Sequence, residues 1–165
     1  MTRRRFVITI PFCVAAAASA REKAFGEIPR EPTPPKKDVP YLLEAQKLIA
    51  TEVQKTNESK TKEGVTFSVT GTSSPARTPL PEPIIVFSQD KISAERLVLY
   101  HFEAAEGRRT ARVGKTDSDD EEDLRLTFRP LESGTYRIEA SHMLSPGEYA
   151  LHLPGGDTAF CFAVY

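Results

Sequence analysis

Residues 65–70 read VTFSVT, and this stretch decides the fold. Its valines and phenylalanine alternate with threonine and serine, so one side of an extended segment is apolar and the other is polar. This alternation predicts a strand with one buried and one exposed face. The same pattern returns in four later stretches, which are 124–129, 136–140, 149–153 and 160–164.

Two further runs, 84–87 and 97–102, are apolar on both faces and predict central strands. Residues 108–115 form a polar strand in which only Ala111 and Val113 face inward, and its charges indicate the edge of a sheet. About eight short strands separated by turn residues indicate a mainly antiparallel β-sandwich or partly open barrel over residues 62–165. Of the two, we favour the sandwich.

A single α-helix is predicted before the strands, over residues 41–57. Its apolar positions keep a spacing of three to four residues, as on one face of a helix. These positions are Leu42, Ala45, Leu48, Ile49 and Val53. Asp38 precedes them as a helix cap. We expect the helix to pack on or beside the β domain.

The N-terminus predicts a signal peptide over residues 1–20. Arg3 and Arg4 belong to a positively charged n-region, which an apolar run follows. Ala18 and Ala20 form a small-x-small cleavage site. The arginine pair also fits a twin-arginine export signal, and the general secretory route is the alternative. The apolar run is too short to span a bilayer, so no stable span is expected after cleavage. The predicted location is periplasmic or extracellular, in a bacterium.

Cleavage leaves residues 21–40, which are rich in proline and charge and predict a linker. The whole chain has 165 residues, 39% of them hydrophobic, and a formal net charge of -1. This composition is that of one globular domain, and the near neutrality argues against a nucleic-acid partner.

Six of the seven residues in 117–123 are acidic. Concentrated carboxylates at a loop tip could hold Ca²⁺ weakly, and the alternative is a solvated charge run. The candidate metal ligands are Asp117, Asp119, Asp120, Glu121 and Asp123. The calcium loop of helix–loop–helix proteins is excluded, because no glycine lies at its sixth position and Phe128 occupies the twelfth. No other cofactor is expected.

A basic patch precedes the acidic loop. Its members are the candidate binding residues Arg108, Arg109, Arg112 and Lys115. A basic strip can hold phosphates or anionic glycans, but pairing with the acidic loop across a hairpin is the simpler account.

The sequence gives little indication of a catalytic nucleophile or a zinc site. The chain has three histidines, and alternation places His142 on the core face and His152 on the outer face of one hairpin, which argues against shared zinc. His101 is expected in the core. Cys161, left alone after signal cleavage, is expected to be a buried apolar residue and not an active thiol.

Residues 146–151 (PGEYAL) and 160–162 (FCF) resemble the closing hairpin of uncharacterised exported bacterial β-sandwich proteins. The resemblance covers about twenty residues; it implies the fold and carries no function.

The sequence therefore predicts an exported binding or structural module of a bacterial cell envelope, without catalysis. A protein partner or envelope component is favoured over a small molecule. One alternative is a small secreted hydrolase whose dispersed His101, His142 and acids such as Asp90, Glu103 and Glu106 converge. The other is a structural domain stabilised by calcium.

Overall fold

The computed structural model describes residues 31–61, 64–113 and 124–165. Thirteen strands and two 3-10 turns account for the regular structure of these residues. In chain order the strands are β1 (Pro40–Glu44), β2 (Lys47–Ala50), β3 (Glu52–Lys55), β4 (Asn57–Thr61), β5 (Gly64–Thr70), β6 (Arg77–Thr78), β7 (Ile84–Ser88), β8 (Val98–Ala105), β9 (Arg108–Val113), β10 (Leu126–Pro130), β11 (Thr135–Ala140), β12 (Gly147–His152) and β13 (Thr158–Val164). The 3-10 turns are Ala94–Arg96 and Glu132–Gly134.

The predicted helix over 41–57 is wrong, because this segment forms β1, β2, β3 and the start of β4. β1 and β2 are an antiparallel hairpin whose register pairs Glu44 with Lys47. Its two turn residues, Ala45 and Gln46, have positive φ values of 42° and 71°. Two successive positive φ values are the conformation of a type I′ hairpin turn, and they interrupt any helix.

Tertiary pairing overrides the helical spacing of this segment. Leu42 lies in a strand flanked by β7 on one side and β2 on the other, where it is buried. Val53, expected on the apolar face of the helix, is 54% exposed on β3. The apolar residues that repeat every three to four positions are thus distributed over β1, the turn, β2 and β3, in different environments.

β1, β2, β7, β10 and β11 form a five-stranded antiparallel sheet in the order β10-β11-β7-β1-β2. The apolar run 84–87 forms β7 at its centre, as predicted. β2 and β10 are its two edges.

The other strands form a second sheet in the order β3-β13-β12-β8-β9-β5-β4, with β6 paired to β13. β3 and β4 end this order, yet only Thr56 separates them in the chain. The extended segment 52–61 therefore pairs with β13 through its first half and with β5 through its second half. The sheet consequently curls into a half-barrel. The prediction that the chain is mainly β with antiparallel pairing is confirmed.

β12 and β13 are buried on both faces and separate two apolar clusters. The larger cluster combines residues of both sheets, including Leu42, Ile85, Leu151 and Phe162. The smaller cluster lies inside the half-barrel around Phe67 and contains six further buried residues: Val69, Phe102, Ala111, Ala150, Ala159 and Cys161. Cys161 is buried, as predicted.

Residues 31–39, assigned by sequence to the linker, belong to the same compact unit as the strands. Asp38 does not cap a helix; it accepts hydrogen bonds from the backbone N–H groups of Asp90, Lys91 and Ile92 at 2.8 to 3.1 Å. Burial alone would raise the pKa of Asp38, but these hydrogen bonds lower it. Among the described residues no helix is long and apolar enough to cross a membrane.

Candidate functional site

The half-barrel holds a buried cation at one end. Arg109, on β9, has no exposed side-chain surface. Its Nη2 lies 2.8 Å from Glu52 Oε2 on β3, and its Nη1 lies 3.3 Å from Glu148 Oε2 on β12. The expectation that Arg109 belongs to an exposed basic patch is therefore wrong. It shares the inward face of β9 with Ala111, so strict alternation would have placed it correctly.

Backbone carbonyls complete the surroundings of the guanidinium. Arg109 Nε donates to Gly71 O and Nη2 to Thr70 O, each at 3.1 Å. The guanidinium carbon also lies 5.9 Å from the centre of the Phe102 ring. A buried charge is tolerated only where it is both paired and hydrogen-bonded, and Arg109 meets both conditions.

Both carboxylates are fixed by further donors. Glu148 accepts from Ser73 Oγ at 2.8 Å and from Ser74 N at 2.9 Å. Glu52 accepts from Gln54 Nε2 at 2.7 Å. The cluster thereby ties the loop after β5 to β3, β9 and β12. Because these oxygens already accept bonds from protein donors, the arrangement fits a structural clasp better than a general acid–base pair.

Cys161 lies beside this cluster, directly opposite Glu52 in the β3–β13 register. The pKa of its thiol is raised to about 12, chiefly by burial; Arg109 lowers this pKa, and Glu52 and Glu148 contribute to its rise. A thiol held in its protonated form is a poor nucleophile.

His152 occupies the other end of β12 and is 3% exposed. Its ring stacks on Phe67, with centroids 4.7 Å apart, and Nε2 donates to Gly156 O at 3.1 Å. Nδ1 is buried and has no hydrogen-bond partner within the described part of the chain. Burial lowers the pKa of His152, so the neutral ring is favoured. The sequence placed His152 correctly on the face opposite Leu151, but that face adjoins a second core and not solvent.

The other two histidines are exposed, which corrects the expected core positions of His101 and His142. His101 lies against Tyr149, with ring centroids 4.9 Å apart. Over residues 31–61, 64–113 and 124–165, no group of three or more His, Cys, Asp or Glu side chains is arranged to hold a metal ion.

The carboxylates of the hydrolase alternative are dispersed. Asp90 follows β7 of the five-stranded sheet and pairs with Lys37 at 3.6 Å. Glu103 lies in the half-barrel sheet opposite Thr110, and Glu106 lies in the positive-φ turn that follows β8. The described strand pairings therefore do not place Asp90, Glu103 and Glu106 next to one another.

Arg108 and Arg112 are exposed, as predicted, but their strand is not an edge, because β9 pairs with β8 and with β5. Its charges therefore do not protect a free edge. Lys115 and the candidate calcium ligands of 117–123 lie outside the described residues. So do the signal-peptide positions Arg3, Arg4, Ala18 and Ala20.

Among the described residues, β10 is one of the two edge strands of the five-stranded sheet, and β2 is the other. The ladder between β10 and β11 pairs Arg129 with Arg137 and Thr127 with Glu139. The flanking bonds run from Leu131 N to Thr135 O and from Ser141 N to Arg125 O, each at 2.8 Å. Alternation along an antiparallel ladder then directs the backbone N–H and C=O of Leu126 and Phe128 away from β11.

Pro130 fits this register. It lies at the next outward position, where a missing N–H costs no ladder bond, which is where edge strands accommodate proline. Sequence reasoning missed this edge because Leu126 and Phe128 read like any half-buried strand; Pro130 was the available signal.

Comparison of the chain with protein-family models, curated proteins and solved structures found no match. The geometry by itself defines the class: a mainly β protein with antiparallel sheets, an internal ionic clasp and, among the described residues, edge strands that include β10.

Proposed function

We propose that this chain is an exported, non-catalytic binding module of a bacterial cell envelope, built as a β-sandwich. The observation that carries the binding role is the open edge of β10, where the outward backbone groups of Leu126 and Phe128 have no strand partner among the described residues. Open edges are templates on which a partner strand can pair. A protein partner or envelope component is the favoured ligand.

The fate of the buried ionisable groups supports a role without catalysis. Arg109 is held by Glu52 and Glu148, which also accept bonds from other donors. The thiol of Cys161 has a raised pKa because it is buried. His152 is stacked on Phe67. Each of these groups contributes to packing or pairing within the half-barrel.

The sandwich interpretation draws on the larger apolar cluster, to which both sheets contribute side chains. Export draws on the arginine-led, alanine-rich N-terminus, and on the resemblance of the last hairpin to exported bacterial β-sandwich proteins. The paired β12 and β13 form that hairpin in the structure.

Export is tested by producing the full chain in a bacterial host and measuring the mass of the protein in the periplasmic fraction. We expect a chain that begins at Arg21. An unprocessed chain confined to the cytoplasm would contradict export.

Binding is tested with a photo-crosslinking amino acid placed at Thr127, which is exposed beside the open edge. The matched control carries the crosslinker at Arg108, which is exposed on an internal strand. We expect a discrete crosslinked envelope protein from position 127 only. Crosslinks from position 108 alone would move the binding surface to β9, and none from either would contradict this binding role.

A further inference from the structure

We infer that the open edge of β10 accepts an extended peptide strand of alternating apolar and acidic residues from a partner protein. This inference rests on the binding role proposed above and specifies the chemistry of the partner.

The backbone of β10 supplies the pairing groups. Leu126 and Phe128 each direct an N–H and a C=O to the open side, and Pro130 adds a further C=O. A strand that aligns with residues 126–130 could therefore form a ladder on this side without breaking the existing pairing with β11.

The residues on the core-facing side of β10 explain why alternate residues of the partner strand should be apolar. Leu126 and Phe128 are only partly buried where they pack against the larger apolar cluster. A partner strand would place its own inward side chains beside these two residues. Apolar side chains there would cover the remaining exposed surface of Leu126 and Phe128.

The residues on the solvent-facing side of β10 explain why the other residues of the partner strand should be acidic. Arg129 is exposed and lies directly opposite Arg137 on β11. Arg137 already pairs with Glu139 at 2.8 Å and with Glu31. Within the described residues Arg129 has no ionic partner. A carboxylate on the neighbouring position of an added strand would supply one.

The same charge argues against a second copy of this chain as the occupant. An antiparallel pairing of two β10 strands would bring two Arg129 side chains onto one face, where like charges repel. A partner strand with outward carboxylates meets the opposite sign. Charge complementarity therefore selects an acidic partner over self-association.

The inference is tested with two synthetic peptides, each of eight residues, blocked at both ends. One alternates valine with glutamate and the other alternates valine with lysine. Amide chemical shifts of the isotope-labelled chain report where each peptide binds. We expect saturable shifts at Leu126 and Phe128 with the glutamate peptide and weaker ones with the lysine peptide.

Two variants separate charge from backbone pairing. Arg129→Glu should weaken the glutamate peptide at least about threefold and favour the lysine peptide. Leu126→Pro, at the first residue of the strand, removes an outward N–H and should weaken both peptides about fivefold. Arg96→Glu changes the same charge in an exposed 3-10 turn and should leave both affinities unchanged. Thermal midpoints check that each variant is folded.

Four results would overturn the inference. They are equal binding of both peptides, shifts away from β10, no saturable shift up to about 1 mM peptide, and a dimer that forms through β10. A crosslinked partner at another surface, with no peptide binding here, would retain the binding role and reject this inference. Peptide binding at β10 by a chain that is never exported would retain this inference and the binding role and would reject export.

Discussion

Arg109 Nη2 lies 2.8 Å from Glu52 Oε2, and this contact joins β9 to β3 across the interior of the half-barrel. The two residues are 57 positions apart in the chain. Glu52 belongs to the segment that closes the curled sheet, pairing with β13 there and continuing into β4. The ion pair is therefore a crosslink between distant parts of one sheet, and its removal should be felt throughout the half-barrel.

The first prediction concerns Arg109→Met. The substitution keeps an unbranched apolar chain but leaves Glu52 and Glu148 without their common cation. Removing one partner of a buried pair leaves uncompensated charge, so we expect the free energy of unfolding to fall by about 3 kcal/mol or more. Denaturant unfolding measures this loss. Arg108→Met, on the exposed face of the same strand, is the control and should change stability by less than about 0.5 kcal/mol. Similar small effects for both would remove the clasp interpretation.

The second prediction distinguishes a hairpin from a helix at residues 41–50. Ala45 and Gln46 have positive φ values, which are strained for residues with a Cβ. The double substitution Ala45→Asn and Gln46→Gly should raise the free energy of unfolding by about 1–2 kcal/mol, because Asn-Gly favours the type I′ turn.

Whether the free energy of unfolding rises or falls in the double variant distinguishes the hairpin from a helix. In a helix, glycine at position 46 would lower stability by about 1 kcal/mol. Ala45→Gly alone, which relieves only one of the two positive-φ positions, should give a smaller gain than the pair. A destabilised double variant would contradict the hairpin.

The same segment also shows which parts of the fold could be predicted from the sequence. Alternation in 65–70 and 149–153, and the doubly apolar run 84–87, predicted strands that the structure contains. Alternation reports on a local preference for burial on one face, and this preference held wherever neighbouring strands supplied that burial. The helix prediction for residues 41–57 was wrong because this segment is divided among several strands that pair with different neighbours. The spacing of apolar residues along the chain does not indicate which strands will pair.

The site was less predictable for a related reason. Alternation correctly opposed His152 to Leu151, and applied strictly it would have grouped Arg109 with Ala111, but it cannot reveal that a sheet is buried on both faces. Curling of the half-barrel made a second interior, and both polar residues lie there. The ionic partners of Arg109 come from β3 and β12, so only the tertiary arrangement identifies them.

The third prediction is a loss of stability in mild acid. The folded state depresses the pKa of His152 through burial, so the unfolded chain binds a proton more readily. The free energy of unfolding should be unaffected by this group above its ordinary pKa of 6.5 and should fall as the pH drops below that value.

Thermal unfolding between about pH 7.5 and pH 5 measures this dependence. His152→Gln removes the titrating ring and should flatten the profile in this range. His142→Gln, at an exposed position, should leave the profile as in the parent chain. A His152→Gln profile as steep as the parent's would assign the pH dependence to other groups.

The fourth prediction addresses calcium at residues 117–123. If these carboxylates bind Ca²⁺, the double substitution Asp119→Asn and Glu121→Gln should lower the thermal midpoint in calcium but not in chelator. The parent chain should itself melt several degrees higher in saturating calcium. Equal melting of the parent in calcium and chelator would leave the segment as a solvated charge run.

The last prediction links Cys161 to the clasp. Burial holds the pKa of its thiol at about 12, so both exclusion of reagent and the scarcity of thiolate protect it in the folded chain. At about pH 8 we expect iodoacetamide to leave Cys161 unmodified until the half-barrel opens, and to label it rapidly in denaturant. Peptide mass mapping measures the extent at this residue. Arg109→Met should accelerate labelling, because it weakens the clasp that closes β3 against β9, whereas Arg108→Met should not. Fast labelling of the parent chain under native conditions would mean that the thiol is accessible and would contradict the sealed interior.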